Sequence, residues 1–275
     1  MRSLVNSEAP FSFVIVLVYL ALISTSVYAQ TDSQSSSNLT PIQQEIEKHR
    51  QRLSAGDMEE RRDAVMRLGN LHVAEASRAA MPALSDPSPI VRAHAAKAIL
   101  SVDPEHAVAA LLPLLKDKDE FVRREAAYAL GLTRSRRATA ALSERLLSDK
   151  EDSVRAAAAV ALGNIADKAA VISLVGTLAP ELSARGNGKR KREQNVFVLR
   201  AAAVALGRIK SRAGTAALIS VLNNEKLDSD VRREAARALG LIGDPAAAPA
   251  LRSAATASDP YLSQLAYEAL RKLGQ

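Results

Sequence analysis

A ten-residue pattern recurs along the chain and constrains its fold more than any other feature. Residues 122–131 (VRREAAYALG) return as residues 231–240 (VRREAARALG), with nine of ten positions identical. The Val, Ala and Leu residues of each copy recur at helical spacing, which predicts an amphipathic helix with one apolar stripe. Weaker copies, several of them spaced by 31 or 32 residues, occupy residues 61–69, 91–100, 154–163, 198–207 and 265–274.

A second apolar stretch of helical period precedes the copies. Examples are residues 107–115, 139–147, 216–222 and 246–251. Short acidic or hydroxyl residues separate the two stretches, as in residues 117–120 (DKDE), and predict caps for the second helix. One helix pair cannot bury its apolar stripe alone, whereas stacked pairs can. We therefore predict an all-α solenoid of about seven helix pairs over residues 41–275.

The composition agrees with closely packed helices. Ala accounts for 52 of the 275 residues, and aromatic residues make up only 3%. Strands favour β-branched and aromatic residues, so a sheet protein is disfavoured. The chain has no Cys, which excludes disulfides, thiol nucleophiles and Cys-ligated metals. Its net charge of +7 permits an acidic partner.

The first 40 residues predict export. A 13-residue apolar run at 11–23 is followed by a short polar exit, which predicts a signal peptide at 1–29, cleaved between Ala29 and Gln30. An uncleaved membrane anchor is the alternative. Residues 30–40 form a Ser-rich linker. The predicted location is periplasmic or secreted, so nucleic acid is not expected as a partner.

The pattern D-x-D-x-x-V-R-x-x-A-A-x-A-L-G resembles HEAT repeats, specifically the short HEAT-like type first associated with phycobilisome lyases. The resemblance implies a right-handed superhelix whose second helices line a concave, protein-binding surface. It also admits an enzyme, because lyases and metal-dependent hydroxylases share this scaffold. The hydroxylases of the family carry His-Glu pairs as iron ligands, and this sequence has none. Its four histidines fall at unrelated repeat positions: His49, His72, His94 and His106. We predict no catalytic residue, cofactor or metal.

One arginine recurs at the same position of the pattern. Two interpretations are open: a ladder that binds anions, or structural bridges between adjacent turns, which the resemblance implies. Most copies have an acidic residue a few positions upstream, such as Asp86 for Arg92, and this favours the structural interpretation. The column consists of Arg61, Arg92, Arg123, Arg155 and Arg232.

An insertion at 180–195 (PELSARGNGKRKREQN) interrupts the repeat, and Leu199 replaces the recurring arginine in the same unit. The insertion is either a tolerated loop or a basic finger for anionic lipid, an acidic envelope polymer or an acidic protein. Its candidate binding residues are Arg185, Lys189, Arg190, Lys191 and Arg192.

Variable residues of the second helices form a further candidate site. If they face the groove, it has basic ends and a middle rich in Ala and Val around Ala156, Val160 and Val204. With the last copy aligned at 265–274, Tyr267 and Arg271 belong to the same rows. Arg and Tyr are frequent binding anchors. The candidate partner-binding residues here are Arg124, Tyr128, Arg200, Arg233 and Arg237.

We therefore predict a non-catalytic scaffold or adaptor in the cell envelope that binds a protein partner. The alternative is a lyase or metal-dependent hydroxylase, by family analogy only. The sequence makes no prediction of the oligomeric state.

Overall fold

The computed structural model describes residues 39–178 and 195–275. The predicted signal peptide, most of the linker and nearly all of the insertion lie outside the described residues. Within those two ranges there are fourteen α-helices and no strand. Residues 39–48 belong to one compact unit, and His49–Gln275 form another. The helices are α1 (Pro41–Arg52), α2 (Met58–Asn70), α3 (Ala74–Ala80), α4 (Pro89–Ala98), α5 (Pro104–Leu111), α6 (Glu120–Thr133), α7 (Thr139–Ser148), α8 (Asp152–Ile165), α9 (Val171–Leu178), α10 (Val196–Ile209), α11 (Thr215–Asn223), α12 (Ser229–Ile242), α13 (Ala248–Ala255) and α14 (Pro260–Lys272).

First and second helices alternate along the chain. The second helices, which carry even numbers, pack side by side from α2 to α14, and each from α4 onward also packs on the first helix before it. First helices touch one another less closely. Leucines fill the space between the first helices and the second helices, and Leu130, Leu162 and Leu206 are fully buried. This arrangement confirms the predicted all-α solenoid.

Small residues set the spacing of the second helices. A Cβ atom on Gly131 in α6 would lie 2.6 Å from the Cα and 2.8 Å from the Cβ of Ala161 in α8. The backbones approach this closely because neither residue has a larger side chain at the crossing. The same kind of contact recurs between Gly163 and Ala205, Gly207 and Ala238, and Gly240 and Ala269.

We expect Gly131→Ala to destabilise the protein. Alanine normally favours a helix over glycine by about 1 kcal/mol, but the added methyl would collide with the backbone of α8. Overpacking of this kind costs about 1–3 kcal/mol, so urea unfolding should show a net loss. Gly56→Ala is the control, because nothing lies within 4 Å of a Cβ there. Equal stability of the two variants would contradict the close approach.

One first-helix segment differs from the predicted continuous helix. Residues 107–115 were expected to form one helix, but α5 ends at Leu111 and a 3₁₀ turn covers Leu112–Lys116. Pro113 lies in this turn and has no N–H for the α-helical bond to the fourth residue before it, so the helix tightens. A 3₁₀ turn with a proline at the same position follows α3 at Met81–Ser85.

The predicted alignment of the last copy at 265–274 is wrong by three residues. Gly240 meets Ala269 just as Gly207 meets Ala238, so Ala269 is the equivalent of Ala238 and the copy spans 262–271. Arg271 therefore occupies the glycine position. Tyr267 occupies a position that is alanine, and fully buried, in α12. Both residues are exposed, because within the described chain no further unit covers α14.

Candidate partner-binding site

The recurring arginines connect successive units. Arg92 donates from Nε and Nη2 to both carboxylate oxygens of Asp117, at 2.8 and 2.9 Å. Its Nη1 donates to the carbonyls of Asp86 and Pro87, in the turn that precedes its own helix. Arg92 was expected to pair with the carboxylate of Asp86, and this is wrong. The acidic partner belongs to the next unit along the chain, where its carboxylate can hold two turns together.

Two further rungs have the same geometry. Arg61 binds Asp86 at 2.7 and 3.0 Å, and Arg123 binds Asp149 at 2.8 and 2.9 Å. The Asp149 carboxylate also accepts a hydrogen bond from the N–H of Glu151. Each rung thus fixes an arginine to the turn on either side of it. These contacts support the structural interpretation of the column over an anion-binding ladder.

In each rung, the arginine and the aspartate stabilise each other in the charged form. Burial alone would raise the pKa of Asp149, but hydrogen bonds from Arg123 and from the N–H of Glu151 outweigh burial and lower the pKa. The pKa values of Asp86 and Asp117 are lowered by the corresponding contacts, again against burial. Their arginine partners have raised pKa values, chiefly through the same hydrogen bonds.

The ladder is incomplete toward the end of the chain. Leu199 is buried at the arginine position of α10, and Asn224 stands 25 residues later, where an aspartate would be needed. Arg232 is present in α12, but Ala257 occupies the aspartate position of its rung. Arg232 donates instead from Nε to the carbonyl of Leu222, at 3.0 Å. The rung at Leu199 therefore lacks both its arginine and its aspartate, whereas the rung at Arg232 lacks only its aspartate.

Ala257→Asp is expected to complete the last rung. The new carboxylate would stand two residues before the helix cap Asp259, as Asp117 stands before Asp119. It could therefore accept from Arg232 and from the backbone N–H of Asp259. We expect a gain of about 1 kcal/mol in the free energy of unfolding, measured by urea denaturation. The gain should be smaller in the Arg232→Ala background, where only the backbone N–H remains as donor, and an undiminished gain there would contradict the pairing.

All five aromatic residues of the described chain lie on second helices, and none of them is buried. Phe197 is 66% exposed and Tyr261 is 68% exposed. The core is built from Ala, Val, Leu and Ile instead. Within residues 39–178 and 195–275, the aromatic side chains are therefore half-exposed or exposed rather than part of the core. They are Phe121, Tyr128, Phe197, Tyr261 and Tyr267.

A groove of about 320 Å³ runs between α6, α8 and α10. Tyr128 and Phe197 lie at its edges, and small side chains form its floor. Arg200 and Arg208 are its charged residues. An adjoining depression extends from Tyr128 and Phe197 toward Arg124. The floor residues are Ala156, Val160, Gly163, Ala201, Val204 and Ala205, which agrees with the predicted middle rich in Ala and Val.

The predicted arginines divide into two groups. Arg200 lines the groove together with Tyr128, and Arg124 lines the adjoining depression. The guanidinium of Arg124 lies 4.8 Å from the ring centre of Phe121 and donates to Glu125 at 3.2 Å. Arg200 has an ion pair with Asp230 at the longer distance of 3.7 Å.

Arg233 and Arg237 lie outside this groove. Arg233 binds both carboxylate oxygens of Asp259, at 2.9 and 3.0 Å, and packs over Tyr261. Its role in the structure is to join α12 to the turn before α14. Arg237 is exposed and lines a separate depression with Tyr261. The remaining predicted residues lie outside the described chain: Arg185, Lys189, Arg190, Lys191 and Arg192.

The sequence prediction omitted two groove residues, Phe197 and Arg208. Phe197 belongs to the first turn of α10, directly after the insertion, and therefore precedes the repeated ten residues. Arg208 follows Gly207 and donates to the amide oxygen of Asn164 in α8. The signal that would have found Phe197 is the rarity of aromatic residues in this chain.

In residues 39–178 and 195–275, no group of three or more His, Asp or Glu side chains could hold a metal ion. No helix in these ranges is both long and apolar enough to cross a bilayer.

Stacked helix pairs joined by repeated bridges define an α-solenoid repeat protein. The model of HEAT repeats matches residues 46–131, 77–163, 108–181 and 191–271, so the chain belongs to the HEAT repeat family. Folds of the HEAT and armadillo kind commonly bind protein partners. No curated protein matches the chain.

The solved structures that are similar to this chain include the following three. An engineered protein solved by the Northeast Structural Genomics Consortium is 25% identical, with 84% of this chain and 68% of that chain covered and a TM-score of 0.52. The Escherichia coli protein YibA is 17% identical, with coverages of 99% and 100% and a TM-score of 0.50, which shows the fold alone. The complex of CpcE and CpcF of phycocyanin lyase from Nostoc is 26% identical, with coverages of 86% and 87% and a TM-score of 0.49.

Proposed function

We propose that this protein is a non-catalytic interaction scaffold of the cell envelope, and that it binds a protein partner through the groove between α6, α8 and α10. The observation that carries the proposal is that the aromatic side chains of the described residues all lie on second helices, where Phe197, Tyr261 and Tyr267 are exposed and Tyr128 is half-exposed. Aromatic residues bury large apolar areas when they contact another surface. Exposing them to water in a chain that has few of them forfeits this gain unless a partner covers them.

The rigidity of the scaffold also favours binding. Tyr128, Val160 and Val204 project from three helices that are held together by buried leucines and by the close glycine contacts. A preformed surface loses little conformational freedom when a partner docks. Aromatic and arginine side chains around a small-residue floor are typical of the anchor regions of protein interfaces.

Photo-crosslinking in the native envelope tests this proposal. A benzoyl-phenylalanine would replace Phe197 in the groove and, as matched control, Leu147, which is 48% exposed on first helix α7. We expect a discrete protein adduct from position 197 that is lost with Val204→Glu and absent from position 147. Adducts that are identical at both positions, or that survive Val204→Glu, would contradict the groove as the binding site. Stoichiometric iron or pigment in the purified protein would contradict a non-catalytic role.

The proposed envelope location depends on the N-terminal segment. Cleavage after Ala29 would release a mature chain that begins at Gln30. Mass spectrometry of the protein from its native host should therefore find this N-terminus, free or cyclised to pyroglutamate. Intact Met1 in the membrane fraction would instead support the anchored form.

The basic insertion is proposed as a second attachment point for an anionic surface. Replacing Lys189, Arg190, Lys191 and Arg192 by Ser should reduce binding to vesicles that contain anionic lipid, and the reduction should be smaller at high salt because the attraction is electrostatic. Thermal stability should stay nearly unchanged. Undiminished vesicle binding at low ionic strength would identify the segment as a tolerated insertion.

A further inference from the structure

We infer that the partner presents carboxylates beside an apolar side chain to the groove between α8 and α10. This inference rests on the proposed function and specifies its ligand chemistry. It concerns an acidic, apolar protein segment rather than a polyanion such as nucleic acid or a charged membrane.

The charge balance of the groove is the first observation. Arg200 and Arg208 are the charged residues among those that line its α8–α10 part, and none of the carboxylates in the described part of the chain lines it. Arg200 has Asp230 only at 3.7 Å, and Arg208 donates to the neutral amide of Asn164. This end of the groove therefore carries an excess of positive charge that would attract carboxylates.

The α6 end of the groove has a different charge balance, because carboxylates are present there. Glu125 and Asp152 line the adjoining depression, but cations accompany both. Glu125 pairs with Lys97 at 2.7 Å and with Arg124 at 3.2 Å, and Asp152 pairs with Arg155. Attraction for a negative ligand is therefore strongest at the α10 side.

The floor of the groove supplies the second observation. Between Tyr128 and Phe197 lie alanines and valines from α8 and α10, without a polar side chain among them. This floor favours an aliphatic or aromatic side chain. A polyanion has no group to fill it and would use only the two arginines. The groove thus matches a ligand that has both properties.

The other cationic positions of the second helices do not offer this combination. Arg233 is committed to Asp230 and Asp259, and the depression beside Arg237 contains the carboxylate of Glu268. The contrast places the acidic ligand at α8 and α10 rather than along the whole row of second helices.

Fluorescence anisotropy with synthetic peptides tests the inference. The probe is a fluorescein-labelled peptide with a central Leu-Phe pair flanked by Asp and Glu. Its comparison peptides replace the acids by Lys or the Leu-Phe pair by Ala-Ala. We expect the parent peptide to bind at least about tenfold more tightly than either comparison peptide, the equivalent of about 1.4 kcal/mol. Poly-glutamate and heparin should compete weakly.

Charge reversal in the protein supplies matched variants. Arg200→Glu and Arg208→Glu should each weaken the acidic peptide about tenfold or more. Arg252→Glu, on first helix α13, changes the net charge equally and should leave binding unchanged. Arg252 is exposed, and its contact is with the side chain of Gln275. Circular dichroism should show that all three variants remain folded.

Outcomes that would overturn the inference include equal binding of the acidic and Lys peptides and equal loss of binding with Arg252→Glu. If the adduct from position 197 persists in either case, the groove still binds a protein and only its ligand chemistry is wrong. If that adduct is absent as well, the proposed function falls with the inference. Heparin or poly-glutamate binding as tightly as the peptide would assign the groove to polyanions instead.

Discussion

Arg123→Ala is expected to lower the free energy of unfolding by about 3 kcal/mol, because it leaves the buried carboxylate of Asp149 without its main partner. Removal of one member of a buried pair costs about 3–5 kcal/mol. The lower end applies here, since Arg145 remains 3.6 Å from Asp149. The side chains of Arg123 and Asp149 are only 6% and 2% exposed, so water cannot replace the lost bonds. Urea denaturation measures the effect.

Lys150→Ala is the control for this variant, because Lys150 is next to Asp149 but its side chain is 76% exposed. Its effect should stay within about 0.5 kcal/mol. In a double-mutant cycle, Asp149→Ala should cost much less when Arg123 is already absent. Additive losses would show that the two side chains act independently and would contradict the rung.

The contribution of the rung should depend on pH. Because the pKa of Asp149 is lower in the folded protein than in the unfolded chain, the unfolded chain binds a proton first as the solution is acidified. The stabilisation is therefore complete above the ordinary aspartate pKa of about 4 and is lost as the pH falls toward the lowered folded value. The difference between the parent protein and Arg123→Ala should shrink over this acidic range. A constant difference would contradict the ionised pair.

Leu130→Ala is expected to lower the free energy of unfolding by about 2–5 kcal/mol, because removal of the fully buried side chain leaves a cavity between α6 and the helices packed on it. Each unit contacts only adjacent units, so the loss should be local. Hydrogen exchange should show weakened protection in α6 and α8 before α14 responds. Leu132→Ala on the same helix is the control, since Leu132 is 61% exposed. Uniform loss of protection from α2 to α14 would contradict this nearest-neighbour coupling.

Most of the fold could be predicted from the sequence, because the same amphipathic helix pattern recurs in every copy of the repeat. The copies near Val122 and Val231 identified second helices, and the helical period of the apolar residues identified first helices. The prediction failed where a single residue overrides the pattern. Pro113 shortened α5, and the final Leu-Gly pair at 273–274 imitated the repeated ending and shifted the last copy by three residues. The cap Asp259 was the better marker of that helix.

The candidate site was less predictable. A repeat shows which positions vary, but it does not show which side chains already bind other residues of the same protein. Tyr128 and Arg200 could be assigned to the groove, and Arg124 to the adjoining depression, from their positions. Arg233 has the same repeat position, and only its three-dimensional contacts with Asp259 and Tyr261 show that it is structural. The acidic partner of Arg92 was also hidden, since an aspartate precedes and another follows it in the sequence.

The glycine contacts between second helices have a consequence for how such a chain can change its length. Gly207 meets Ala238, and Gly240 meets Ala269, so the two junctions use the same pair of residue types. If α11 and α12 were deleted together with their turns, Gly207 would face Ala269 across an equivalent crossing. The steric requirement at the new junction would already be met by residues present in the chain. Whole units can therefore be lost or duplicated without inventing a new interface, whereas a deletion of part of a unit would set a larger side chain against the neighbouring backbone.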